Sequence, residues 1–414
     1  MKRLGVNLDY ILFGLLFTLL FGCNAAKEVA FKSPVDTTSK PITLQTQKTY
    51  ELKDVGVFAS NEFLGARLNA FEKYNDSTAI VSIYPENSPV NNSAYYAFKA
   101  WAKTPKSFYF MFKYPKGYKH RYTPKLKIDE TWSVIDSTDV FKNDSIVTIK
   151  VNLTKTPITI AAQEIQSSMD VKNWVNTVIT NKEEIVKLEV FGKSILGKDL
   201  SVLNINKGDA KGKDVIILMT RQHPPEVTGY YAFQRFMQTI LDDSELSNSF
   251  LSKYHILVFP LMNPDGVDLG HWRHNAGGVD TNRDWSVYNQ PEIKQTVKYI
   301  QKVLKRSRSK IVLGLDFHST WHDVFYTNTI RESTALPNFI EDWFNGLEAN
   351  IPNYKVNEEA GNSTKPVSKG WFLYGHNAVG ITYEIGDATP KENIELIGRV
   401  SAQQMMKILT KTNN

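Results

Sequence analysis

The chain has 414 residues, 42% of them hydrophobic and 22% charged, with a formal net charge of +6. That length exceeds what one core usually sustains, and the balance of apolar to charged residues excludes an intrinsically disordered chain. The positive charge is spread thinly, and its densest run, Lys305-Arg306-Ser307-Arg308-Ser309-Lys310, closes a predicted helix where cations suit the dipole; with no nucleic-acid module beside it, nucleic acid is excluded as a partner.

In chain order, Lys2 and Arg3 precede an apolar stretch from Tyr10 to Phe21, too short to span a bilayer and suited to a secretory signal. It ends in Leu20-Phe21-Gly22-Cys23, which is similar to a bacterial lipobox. That resemblance implies a signal peptide over 1–22, a lipidated Cys23 attached to the membrane, and an exported protein of the cell envelope. Cys23 is the only cysteine, so an internal disulfide is excluded. Residues 23–44 read as a linker.

From 45 to 160, short runs alternate with turn residues: Ala79-Ile80-Val81-Ser82-Ile83-Tyr84 before Pro85, Phe108-Tyr109-Phe110-Met111-Phe112 before Pro115, and Ile146 to Val151. Regular β-branched and aromatic segments between Pro, Asn and Gly predict an all-β sandwich. Its polar residues form no evident catalytic cluster, and Pro85-Glu86-Asn87-Ser88-Pro89 reads as a loop.

After about 160 the period changes. Strands are predicted at 214–219, 255–261, 311–317 and 380–385, and helices at 228–241, 291–306 and 390–410. The second helix opens on Pro291 and aligns Ile293, Val297, Ile300 and Leu304 on one face; the last opens Thr389-Pro390-Lys391-Glu392, a capping-box pattern. Such alternation predicts an α/β domain over 161–414 with a mixed sheet, preceded by the smaller sandwich.

Sites in open α/β sheets form outside the carboxyl ends of the strands. His223 and Glu226 follow the strand at 214–219, Asn263-Pro264-Asp265-Gly266 follows that at 255–261, Asp316-Phe317-His318 ends that at 311–317, and Glu384 lies at the end of 380–385. Two imidazoles and a carboxylate suit a zinc-like ion that leaves one position for water. Pro224 and Pro225 stiffen the loop between His223 and Glu226. Other histidines compete, namely His271 with His274 and His318 with His322; the last two could share a helical turn.

The order of these pieces resembles the zinc carboxypeptidase family from about Lys187 to the C-terminus. Phe191-Gly192-Lys193-Ser194-Ile195-Leu196-Gly197-Lys198-Asp199-Leu200, His223-Pro224-Pro225-Glu226, Asn263-Pro264-Asp265-Gly266, Gly278 to Trp285, Asp316-Phe317-His318 and Thr382-Tyr383-Glu384 follow the family's sequence of motifs. The resemblance implies one zinc held by His223, Glu226 and His318, with Glu384 as general base. It further implies Arg273 as oxyanion donor, and Asn282 and Arg283 as ligands of a peptide's terminal carboxylate. The sandwich before such a domain is similar to the arrangement in cytosolic carboxypeptidases. Pro225 stands where pancreatic members carry an arginine, and Asn362 where the family's mobile tyrosine is expected, with Tyr374 nearby but out of register. Lys369 falls at the specificity-pocket position, where a cation would favour an acidic terminal residue. Peptides and peptidoglycan stem peptides are both implied as substrates, and no protein partner is. A zinc amidase acting on cell-wall bonds and an inactive envelope peptide-binding protein are the competing readings.

Overall fold

The computed structural model describes residues 27–143 and 146–411. The signal segment 1–22 and Cys23, on which export and lipid anchoring were read, lie outside the described residues. Among the described residues no helix is long and apolar enough to cross a membrane.

Among the described residues, eleven short strands make the N-terminal part: β1 (Thr49–Leu52), β2 (Val57–Ser60), β3 (Ala70–Lys73), β4 (Thr78–Ser82), β5 (Ala97–Ala102), β6 (Lys106–Lys113), β7 (Lys125–Ile128), β8 (Thr131–Val134), β9 (Val140–Asn143), β10 (Ile146–Leu153) and β11 (Ile158–Ala161). They form a six-stranded sheet, β1-β2-β5-β11-β7-β8, and a five-stranded sheet, β3-β4-β6-β10-β9. The alternation in β6 makes the sandwich: Phe108, Phe110 and Phe112 point into a shared apolar core with Phe98, Val81 and Ile149, while Ser107, Tyr109 and Met111 face out.

The C-terminal part is built on an eight-stranded sheet. Its members are β12 (Val186–Lys193), β13 (Asp199–Ile205), β14 (Asp214–Thr220), β15 (Tyr254–Phe259), β16 (Ile311–Thr320), β17 (Val324–Tyr326), β18 (Glu358–Glu359) and β19 (Val379–Gly386), in the order β12-β13-β15-β14-β16-β19-β17-β18. The central four, β15, β14, β16 and β19, run parallel, and β13 and β17 flank them antiparallel. The run Val215 to Met219 is wholly apolar because a central parallel strand is covered on both faces. One face packs on helices α2 (Val227–Ile240), α6 (Phe339–Asn350) and α8 (Lys391–Lys411), the other on α5 (Pro291–Ser307) and α7 (Ser368–His376). Helix α1 (Ser168–Val178), helix α3 (Glu245–Lys253) and the single turn α4 (Pro264–Asp268) complete the set.

The predicted strands and three predicted helices match these elements within three residues at their ends, the widest gap being the strand predicted at 311–317, which runs on to Thr320. Three details differ. Thr389 donates its hydroxyl to Asp323 Oδ1 at 2.7 Å, ahead of α8, which starts at Lys391. His318 lies in β16 and His322 in the bend beyond it, so the pair shares no helical turn. The segment read as a linker is, from residue 27, a docked strap. Val29 N donates to Ser286 O, Thr37 Oγ1 to Asp284 Oδ1 at 2.5 Å, Lys40 N to Gly277 O and Thr43 N to Glu86 O, while Val29 joins the core beside Gly375 of α7. Such a segment escapes sequence patterning because its bonds go to distant loops and none repeats along its own length.

Helix α2 crosses β16 at Gly229, where an added Cβ would stand 2.0 Å from the carbonyl oxygen of His318. Gly229→Ala should therefore displace α2 or the end of β16, at a cost of about 1–3 kcal/mol. A lowered Tm together with weakened metal binding is the expected result, and an unchanged Tm would contradict the packing.

Candidate metal centre and active site

The parallel strands place the reactive groups by register. His318 and Glu384 are direct partners on β16 and β19, so their Cα atoms are one strand spacing apart and their side chains share a face. Asp316, two residues before His318, shares that face as well. On the next strand, β14 ends at Thr220 and the chain turns sharply: Arg221 adopts φ 59°. Its buried guanidinium donates from Nη2 to Pro224 O at 2.8 Å and to Gln166 O at 3.0 Å. That clamp, with the two prolines, carries His223 and Glu226 to the mouth of α2, at whose N-cap Glu226 stands.

His223 Nδ1 lies 2.8 Å from Glu226 Oε1, His318 Nδ1 lies 2.6 Å from Glu226 Oε2, and the two Nδ1 atoms are 3.2 Å apart. The outer ring nitrogens face other carboxylates: His223 Nε2 is 2.9 Å from Asp280 Oδ1, and His318 Nε2 is 2.9 Å from Asp316 Oδ2. With the ring protons on Nε2, facing those carboxylates, both Nδ1 atoms would turn their lone pairs toward Glu226, the arrangement that a bound cation requires. Unless a cation sits among them, these atoms stay this close only through protons shared between the imidazole nitrogens and the carboxylate. The donor atoms lie within 4.8 Å of one another, and two imidazoles with a carboxylate is a set that suits zinc. Burial opposes charge on His318, but Asp316 and Glu226 outweigh it and hold the imidazole well above its usual range. Burial also opposes ionisation of Glu226, yet His223 and His318 hold its carboxyl well below the usual carboxylate range.

Asp280 ties His223 to the arginines. Its Oδ1 accepts from His223 and from Asn282 N at 2.9 Å, and its Oδ2 accepts from Arg273 Nε at 2.7 Å with Arg283 Nη1 at 3.8 Å. Against its burial, Arg273, Arg283 and His223 keep it ionised, well below the usual range. Asp316 plays the matching part for His318, with its Oδ2 also accepting from Gln222 Nε2 at 2.5 Å and from the Ser368 hydroxyl. Asn282 is partly committed, since its Oδ1 accepts from Ser368 N at 2.9 Å.

All seven predicted site residues, His223, Glu226, Arg273, Asn282, Arg283, His318 and Glu384, line one cavity of about 380 Å3. Glu384 Oε2 is buried there without a hydrogen-bond partner among the described residues. Burial, then the charge of Glu226, push Glu384 up to about 8, while His318 and Arg273 pull the other way. A dication among the ligands would favour its ionised form. His271 and His274 stand apart from this cluster: His271 Nδ1 meets His274 O and His274 Nδ1 meets Asn87 Oδ1.

Sequence reasoning left several lining or supporting residues without a role. Asp280 was legible from its position before Asn282 and Arg283, and Asp316 from its i, i+2 relation to His318. Tyr326, on β17, is a tyrosine that lines the cavity beside Asn362; Tyr374 is exposed and donates to Ser363 O. From the sandwich come Asn91, Asn92 and Arg121, the last held by Asp387 at 2.8 Å with its guanidinium 4.9 Å from the Trp321 ring. Nothing in the local sequence of Arg121 shows that it faces another domain's cleft.

Comparison with known proteins agrees with this geometry. The family model described as zinc carboxypeptidase matches residues 171–399, more than half of the chain. Cytosolic carboxypeptidase 2 of Danio rerio is 28% identical over 139 residues, which is 32% of this chain and 19% of that protein. The chain thus spans about a fifth of the length of that relative. Among solved structures, a metallo-carboxypeptidase from Burkholderia cenocepacia superposes with a TM-score of 0.69 at 14% identity, covering 86% of this chain and 98% of that one. A metallo-carboxypeptidase from Pseudomonas aeruginosa gives 0.68 at 17% identity, covering 85% and 98%. At such identities the two structures carry the fold alone, and that fold includes the N-terminal sheets.

Removing the charge from Asp280 should loosen the whole constellation. Asp280→Asn is expected to weaken metal binding about 10- to 100-fold, measured by competition with a chromogenic chelator. An affinity equal to the parent's would show that His223 needs no orienting carboxylate.

Proposed function

The chain belongs to the zinc carboxypeptidase family and is a metallopeptidase hydrolase, and from that premise we propose that it removes the C-terminal residue of peptides, with His223, Glu226 and His318 holding one zinc ion. The observation that carries this reading is the set of three facing donor atoms beside an unpartnered carboxylate oxygen on the adjoining strand. When bound, zinc would lower the pKa of a water molecule to about 7 and polarise the carbonyl of the scissile bond. Glu384 takes the proton of the attacking water on its free carboxylate oxygen and returns it to the nitrogen of the departing residue, acting first as base and then as acid.

The arginines divide the remaining work. Arg273, its Nε held by Asp280, keeps its terminal nitrogens for the carbonyl oxygen as charge develops there, an interaction worth ~3 to 4 kcal/mol at the transition state. Arg283 offers its guanidinium to the substrate's terminal carboxylate, and Asn282, whose Nδ2 lies 3.3 Å from His318 Nε2, adds a second donor in the same cavity. Selection of a free carboxylate restricts cleavage to chain ends.

Lys369 supports a preference for acidic terminal residues. It lines the same cavity, and its Nζ donates to neutral oxygens, Ser363 Oγ at 2.9 Å, Thr327 O at 3.0 Å and Asn328 Oδ1 at 3.4 Å, so its charge is free to meet an anion. With residues 1–23 read as an export and lipidation signal, the substrates are peptides outside the cell, scavenged or released from peptidoglycan, that end in such residues.

Glu384→Gln should retain one zinc per chain by atomic absorption while kcat falls by about two to four orders of magnitude; near-parental turnover would remove Glu384 as the base. In a digest of a peptide library followed by mass spectrometry, peptides ending in Glu should be shortened by one residue faster than those ending in Leu. Burial draws Lys369 down to about 8. Its charged form dominates below that pH, so the ratio of kcat/KM for the two termini should be largest below pH 8 and decline above it, because kcat/KM reports the free enzyme. Equal cleavage at all pH values would remove Lys369 as the determinant, and release of internal amides with intact chain ends would favour the amidase reading.

A further inference from the structure

The segment Pro85-Glu86-Asn87-Ser88-Pro89 follows β4 in the sandwich and reads from sequence as an ordinary turn. In the folded protein Glu86 is fully buried, although a carboxylate is among the side chains least often found so. It accepts three successive backbone N–H groups of the other domain: Trp272 N at 2.8 Å on Oε2, and Arg273 N at 3.0 Å and His274 N at 2.6 Å on Oε1. Three consecutive amides converging on one carboxylate form an anion-binding nest, here filled by the protein itself. Burial works against its charge, but His271, His274 and Arg67 hold the Glu86 carboxyl below its usual range.

Neighbouring contacts fix the same three residues from the same side. Trp272 is wholly buried in the apolar core of the sandwich, edge-on to Tyr118 at 5.1 Å and Tyr114 at 6.3 Å. His274 Nδ1 meets Asn87 Oδ1 at 2.7 Å, Asn87 Nδ2 donates to Gly278 O at 3.0 Å, and the strap's Thr43 N donates to Glu86 O. The backbone of Arg273 is thus anchored in one domain while its side chain, through Nε on Asp280, lines the cavity of the other.

We propose that Glu86 is a positioning residue for the reaction, through which the sandwich domain sets the place of the Arg273 guanidinium over the cleft. The inference rests on the role given to Arg273 above. A displacement of about 1 Å in a group that acts at the transition state can cost a hundred-fold in rate, whereas substrate binding through Arg283 is untouched. The sandwich is then a working wall of the active site.

The test is a double-mutant cycle on the full-length, zinc-loaded protein, with turnover expressed per bound zinc. Glu86→Ala strands three buried amides and is the harsher variant; Glu86→Gln keeps the size of the side chain and part of its accepting capacity. Glu86→Gln is expected to lower kcat about ten-fold or more with KM little changed. In an Arg273→Ala background the same substitution should leave kcat where Arg273→Ala alone puts it, because Glu86 would have nothing left to position. Equal losses in both backgrounds, a loss confined to KM, or unaltered kcat would each overturn the proposal. So would failure of both Glu86 variants to fold and bind zinc, which would make the residue a folding requirement. If Arg273→Ala itself leaves kcat unchanged, the role assigned to Arg273 fails first and this proposal falls with it.

Discussion

Two imidazole lone pairs and a carboxylate turned toward one another make the constraint on which the rest of this structure depends. They are held there by groups that are themselves buried: Asp280 and Asp316 on the outer ring nitrogens, Arg221 under the turn, and Gly229 letting α2 lie against the backbone of His318. Such a cluster is costly by itself, since its charges lack water, and without a cation His318 must hold a proton to face Glu226 so closely. Binding a cation converts each unfavourable contact into a ligand bond, so folding and metal binding support the same geometry.

The electrostatics of the cavity follow from that arrangement. Glu226, Asp280 and the Oδ2 atom of Asp316 are matched by imidazoles, guanidinium groups or hydrogen-bond donors, while Glu384 Oε2, like Asp316 Oδ1, is buried without a partner among the described residues. A carboxyl left in this state holds a proton more tightly than Glu226 or Asp280 does, and a bound dication would free it to act as a base. The two arginines face the same cavity and both meet Asp280, so one aspartate fixes His223, Asn282, Arg273 and Arg283 relative to one another.

The two domains are less separable than their textures suggest. The sandwich contributes Arg121, Asn91 and Asn92 to the cavity and Glu86 to the Arg273 loop; the strap from residue 27 crosses the catalytic surface to reach Glu86. Arg121, paired with Asp387 and stacked on Trp321, brings a guanidinium to the cleft of a chain that has Pro225 in its metal-binding loop.

Much of the catalytic sheet was legible in the sequence because its rules are local. A fully buried parallel strand must be a continuous apolar run, as Val215 to Met219 is, and strand ends bring His318 and Glu384 to one edge, though their direct pairing comes from the fold. The order of strand-end motifs therefore determined the family resemblance and the seven residues that share one cavity. What only the tertiary structure decided involves groups far apart in the chain whose local surroundings are unremarkable turns: Glu86 meeting Trp272 to His274, Arg121 reaching Asp387, Thr37 meeting Asp284. Periodicity reports which face of an element is buried. It carries no information on which distant loop satisfies a lone buried carboxylate or a strap without secondary structure, because that partner is chosen by how the two domains pack.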